Sequence, residues 1–147
     1  MSSGEVSFNL EIQIKDIDYQ KGPYFLAPEA TIAEAIELFR AKNCGAVLVM
    51  ENKKLIGIFT ERDYIRKIAN EKIDTTAVKV SSFMTAKPDC YCVTDSVAMA
   101  MVKMQMRGYR HLVVIDNKEQ QNVLGVLSIR DLLSFFCEAM RASSKSA

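Results

Sequence analysis

Two spacings of apolar residues alternate along this chain. Ile32, Ala35, Ile36 and Phe39 recur every three or four residues, the signature of one helical face. Ala46 to Met50 follows as an unbroken apolar run and reads as a strand buried on both faces. Glu51-Asn52-Lys53-Lys54 reads as a polar hairpin turn, and Leu55 to Phe59 as the returning strand. Thr60 opens a second helix through Tyr64, Ile65 and Ile68. Ahead of these, Tyr24-Phe25-Leu26 reads as a short strand stopped by Pro28. A helix-start signal follows at Glu29 to Thr31, and Gly45 is expected to end that helix. The predicted order is strand, helix, strand, strand, helix.

The same order then recurs. Thr31 to Lys53 aligns with Ser96 to Lys118, and Leu55 to Arg66 with Val123 to Ser134, the second copy carrying extra residues around Glu119 to Asn122. Identical pairs include Ala33/Ala98, Ala35/Ala100, Val49/Val114, Gly57/Gly125, Arg62/Arg130 and Asp63/Asp131. A shared Gly-x-x-Thr/Ser-x-Arg-Asp in one register marks a duplication, since self-similarity at a fixed period is the mark of a repeated structural unit. The second copy reads as Tyr91 to Val93, Ser96 to Arg107, His111 to Ile115, Val123 to Leu127 and Ser128 to Met140. Outside the repeats, Val6, Phe8, Leu10, Ile12 and Ile14 alternate with polar residues, as in a half-exposed strand or arm. The expected divisions are an arm over 1–13, a first unit over 14–72, a linker over 73–79 and a second unit over 80–141. Val80 to Thr85 reads as a short helix, and 142–147 as a disordered polar tail.

Composition narrows the chemistry. The chain has 147 residues, 49% hydrophobic and 25% charged, enough to bury a core. Its net charge of +1 argues against nucleic acid as a partner. No apolar run is long enough to span a bilayer, and the first residues lack a basic-then-apolar leader, so a cytoplasmic location and no membrane partner are expected. Four cysteines without a Cys-x-x-Cys pair read as free thiols, with Cys90 and Cys92 expected to be buried. Cys90, Cys92 and the lone His111 supply at most three of the four ligands zinc prefers, so no metal is expected. Methionines crowd positions 99 to 106, which reads as an adaptable packing or dimer surface. No nucleophile with a readable base and no glycine-rich phosphate loop occurs, so the chain is not read as an enzyme.

The residues resemble a known family. Ala-Pro-x-x-Thr-Ile-x-x-Ala from Ala27, then Gly45-Ala46-Val47-Leu48-Val49, then Gly57-Ile58-Phe59-Thr60-Glu61-Arg62-Asp63 is similar to one CBS domain, named after cystathionine β-synthase. Phe83-Met84-Thr85, Tyr109-Arg110-His111-Leu112-Val113-Val114 and Gly125 to Asp131 resemble a second. A proline often follows the leucine of Arg-His-Leu in the family, and Val113 stands there instead. The resemblance implies an α/β (α+β) fold in which two pseudo-symmetric β-α-β-β-α CBS units pack as one module, with two clefts between their sheets. It further implies a homodimer that binds an adenosine compound and acts as an energy or metabolite sensor for an attached or separate enzyme or transporter. AMP, ATP, NAD and S-adenosylmethionine are the ligands to expect.

Two readings of the shared motif stand side by side. Thr60 with Asp63 is a capping box, worth about 1 kcal/mol to a helix and needing no ligand. A helix start also suits a phosphate, and a carboxylate beside it suits a ribose diol. The resemblance assigns the phosphate to Thr60 and Ser128 and the ribose to Asp63 and Asp131. It lines the purine slot with Phe25, Leu26, Ala27, Gly45 and Ala46 in the first copy, and with Pro88, Cys90, Tyr91, Arg110, His111 and Leu112 in the second. Arg62, Arg66, Arg110 and Arg130 are candidates to neutralise phosphate. The alternative function is an architectural dimerisation or docking module that holds no nucleotide.

Overall fold

The structure, a computed structural model, describes residue 9 and residues 11–145. In chain order the elements are β1 (Gln20–Lys21), β2 (Phe25–Leu26), α1 (Ile32–Lys42), β3 (Ala46–Glu51), β4 (Lys54–Thr60), α2 (Glu61–Lys67), β5 (Thr85–Ala86), β6 (Cys90–Cys92), α3 (Val97–Arg107), β7 (His111–Ile115), β8 (Val123–Ser128) and α4 (Ile129–Lys145). They form two compact units, Gly22–Asp89 and the segment through Lys21 joined with Cys90 onward.

In the Gly22–Asp89 unit the sheet runs β2-β3-β4-β5. β2 lies parallel to β3 (Leu26 against Val49), and β3, β4 and β5 are successively antiparallel. Asn52 and Lys53 both take positive φ, which makes a two-residue hairpin loop whose twist suits its strands. α1 starts because Thr31 accepts from the Glu34 amide at 3.2 Å while Glu34 Oε2 accepts from the Thr31 amide at 2.6 Å. It ends at Asn43, which adopts the left-handed conformation two residues before Gly45. Ile32, Ala35 and Phe39 of α1 then pack on Val47, Val49 and Phe59. Burial of Ala46 through Val49 is continuous, as the apolar run predicts.

The other unit repeats the plan as β6-β7-β8-β1, with β6 parallel to β7 (Cys92 against Ile115) and the rest antiparallel. Its core is Val97, Ala100 and Met104 of α3 on Leu112, Val114 and Leu127, the positions of the first core shifted along the repeat. Even the register slip recurs, at Val49/Met50 and at Val114/Ile115. The extra residues lengthen the second hairpin. Asp116 Oδ1 ties that loop by accepting from the amides of Asn117 and Asn122 at 2.6 and 2.8 Å.

Units and sequence repeats divide the chain differently. Ile14 and Ile17, from a 3₁₀ turn at Ile14–Asp16 and the residue after it, are buried in the core of the second repeat's unit, and β1 pairs with β8. Reciprocally, a 3₁₀ turn at Val80–Ser82 and strand β5 complete the first repeat's unit, where Val80–Thr85 had read as one helix. The arm's Ile12 packs against the same core as Ile14, whereas Val6, Phe8 and Leu10 lie outside the described residues. Of the tail expected to be disordered over 142–147, residues 142–145 are helical, and 146–147 lie outside the described residues. α4 continues through Lys145, with Ser143 and Ser144 hydroxyls donating to the carbonyls of Ala139 and Arg141.

Candidate functional site

The shared motif sits where a strand turns directly into a helix. In the first copy Thr60 ends β4 and caps α2. Its amide and hydroxyl both donate to Asp63 Oδ2 at 3.0 Å, and the Asp63 amide donates back to Thr60 Oγ1 at 3.1 Å. Lys67 Nζ holds the other carboxylate oxygen, Oδ1, at 2.9 Å. The Glu61 amide donates to the Gly45 carbonyl at 3.1 Å, and Ala46 pairs with Thr60 across the sheet. Gly45, Ala46, Thr60 and Asp63 are therefore gathered at one end of the sheet.

The second copy builds the same junction. The Ser128 amide donates to Asp131 Oδ2 at 2.8 Å, and the Asp131 amide donates to Ser128 Oγ at 3.2 Å. The Ile129 amide donates to the Arg110 carbonyl at 2.9 Å, and His111 pairs with Ser128. Arg110, His111, Ser128 and Asp131 thus share one sheet end. Phe135 stands where the first copy has Lys67, so Asp131 lacks the cation one helical turn on. Asp131 instead lines a cleft of about 420 Å³ with Asp16, Ile17, Asp18, Ser134, Phe135 and Glu138.

The remaining expected lining residues are spread more widely. Phe25 is exposed and faces Leu48 in register, two positions along β3 from Ala46, and Ala27 follows the end of β2. Tyr91 faces Val114, three positions along β7 from His111. Pro88 falls in the Gly22–Asp89 unit, apart from the unit of Tyr91. Arg62 is half-buried, while Arg110 and Arg130 are exposed. Burial pushes the His111 imidazole below its usual range, opposed by the Asp131 carboxylate and helped by the Arg110 charge. Of the four thiols, Cys44 and Cys92 are buried and their pKa values raised by desolvation, whereas Cys90 and Cys137 are exposed. Among the described residues no group of three His, Cys, Asp or Glu side chains is placed to hold a metal ion. Among the same residues no helix is long and apolar enough to cross a membrane.

Six cleft residues were missed by the sequence reading. Ser134, Phe135 and Glu138 follow Asp131 at helical spacing and were within reach of that argument. Asp16, Ile17 and Asp18 arrive from the far end of the chain, and no local pattern announces them.

A strand-helix-strand-strand-helix unit, closed by a hydroxyl-and-aspartate helix start, thus occurs twice in the chain. The family model for the CBS domain matches residues 14–70 and again 80–138, and the chain belongs to that family. It is 34% identical over 110 residues to an uncharacterised 17.7 kDa protein of Acidianus ambivalens, covering 74% of this chain and 64% of that one. The chain spans less than two thirds of the length of this and other curated relatives that it matches. Among solved structures it is similar to a putative signal-transduction protein with CBS domains from Burkholderia ambifaria. Identity there is 30% and TM-score 0.76, over 84% of this chain and 90% of that one. It is also similar to a CBS domain protein from Pyrobaculum aerophilum complexed with AMP, at 26% identity and TM-score 0.72, over 88% and 99% of the two chains.

Proposed function

We propose that this chain is a non-enzymatic regulatory module that binds an adenosine nucleotide and signals, by a shape change of a homodimer, to a separate enzyme or transporter in the cytoplasm. The observation that carries this reading is the Asp131 carboxylate on the wall of a 420 Å³ cleft. A ribose diol offers two O–H donors, and a carboxylate is the acceptor that matches them. In this reading Ser128, which precedes a 17-residue helix, donates its hydroxyl to a phosphate oxygen where unpaired amides favour negative charge. Arg130 adds a cation two positions further on. Phe135 and Ile17 give the cleft apolar wall for a purine. The AMP held by the Pyrobaculum relative supports an adenosine ligand here. In the first copy the same diol has to displace Lys67 from Asp63, so we assign the stronger site to the second copy.

Thermal shift with AMP, ATP, NAD and S-adenosylmethionine tests this directly. A ligand present at 100 times its Kd stabilises by about 2.7 kcal/mol. The expected result is a shift that Asp131→Ala abolishes and Asp63→Ala weakens less. No shift with any of the four compounds would refute nucleotide sensing. That outcome would favour the architectural module, a reading supported by the first copy's capping bonds and ion pair, which are complete without a ligand.

A further inference from the structure

We infer that the cleft of the second copy sorts adenosine compounds by charge, accepting a single phosphate and excluding a polyphosphate chain. The inference rests on the nucleotide site proposed above and narrows its ligand.

Four of the residues lining the cleft are acids, Asp16, Asp18, Asp131 and Glu138, and none is a base. Two of the acids also serve the fold. Asp131 accepts from the Ser128 amide, and Asp16 from the Gln13 amide at 3.1 Å. Asp18 and Glu138 differ, since among the described residues no hydrogen bond or ion pair engages either carboxylate. Their charge is left for whatever enters the cleft. Asp131, Phe135 and Glu138 follow at four- and three-residue steps and so share one face of α4. Seven residues of helix span about 10 Å, close to the Debye length at ~0.1 M salt, so a bound phosphate chain feels every acid of the wall. One phosphate is compensated at the helix start, by its amides and the charges of Arg110 and Arg130. Further phosphates meet no cation in the cleft wall.

The duplication supplies an internal comparison. In the repeat register Arg66, Lys67 and Asn70 hold the places of Ser134, Phe135 and Glu138. The stretch from Val80 to Met84, which opens with the 3₁₀ turn matching Ile14–Asp16, contains no acid to stand for Asp16 or Asp18. At these positions the second copy therefore sets four acids against no base, and the first sets Asp63 against Arg66 and Lys67. Arg130 is matched by Arg62 and does not distinguish the copies. Both copies keep the same junction and the same core plan, so folding does not require either sign of charge. Specificity requires an element that repels the wrong ligand, and the acid wall is that element.

Isothermal titration calorimetry of the whole chain carrying Asp63→Ala, which removes the ribose acceptor of the first copy, tests this with AMP and with ATP in EDTA. AMP is expected to bind at least ~30-fold more tightly than ATP, as like charges brought together in one cleft demand. Adding Asp131→Ala should abolish the AMP heat, which places it in the second copy. Adding instead Asp18→Asn with Glu138→Gln should tighten ATP binding and cut the gap to ~5-fold or less, a gain that a misfolded variant could not give. Raising sodium chloride from ~0.05 to ~0.5 M should narrow the gap as well, by screening. Equal affinities, a gap that survives the double replacement, or one indifferent to salt would overturn sorting by charge while leaving the nucleotide site standing. If neither compound binds, the inference falls, and the thermal shift with all four compounds decides whether the nucleotide site falls with it.

Discussion

Gly57 and Gly125 are shared by both repeats, and their reason is a close approach rather than a turn. A Cβ at Gly125 would run into the Gln20 carbonyl and the Tyr19 ring, and one at Gly57 into Met84 and the Thr85 carbonyl. Each glycine therefore lets an edge segment lie flat on the sheet. Gly125→Ala should cost about 2 kcal/mol through overpacking, readable as a lower urea midpoint. His111 gives a second prediction at this scale. Its depressed pKa means the unfolded chain binds the proton more readily, so the stability it contributes is whole above about pH 6.5 and is lost as pH falls below. Urea midpoints should fall on acidification across that range, and His111→Gln should flatten the fall. The aspartates and their capping partners were legible as residues because type and spacing carry that chemistry. The cleft around Asp131 was not, because three of its residues come from positions 16–18.

At the scale of elements, the pattern of apolar residues located every major helix and strand of both repeats, since each buries one recognisable face. Its errors fell at ends, where local chemistry overrides periodicity. α1 stops at Asn43 rather than Gly45 because a left-handed asparagine can close a helix. α4 runs past Met140 to Lys145, with the Ser143 and Ser144 hydroxyls bonded back on the helix. The caps carry measurable weight. Thr31→Ala removes the acceptor for the Glu34 amide and should lower stability by about 1 kcal/mol. Ser96→Ala should cost less, because its box is only half built, and parallel thermal melts of the two variants check the order.

At the scale of the whole molecule, the interleaving of the two units was invisible in the sequence. A repeat alignment registers similarity, and similarity does not say which copy a connecting segment packs on. Ile14 and Ile17 look like the opening of the first repeat, yet they are buried with Val97, Leu112 and Leu127. Deleting residues 1–21 should therefore loosen the distant Cys90–Lys145 unit and spare Gly22–Asp89. Hydrogen exchange should show protection lost first from β7 and β8, and loss confined to β3 and β4 would contradict the assignment.

The exchanged edge segments bear on how such a chain could have arisen. A half-length ancestor ending before residue 80 would have carried the opening turn and border strand of one globule attached to the body of another. It could be finished only by lending that leader to a sister molecule and receiving hers. Within the present chain that exchange takes place inside a single polypeptide. A split gene expressing residues 1–79 and 80–147 separately should accordingly yield two fragments that are each incomplete alone and recover structure on mixing.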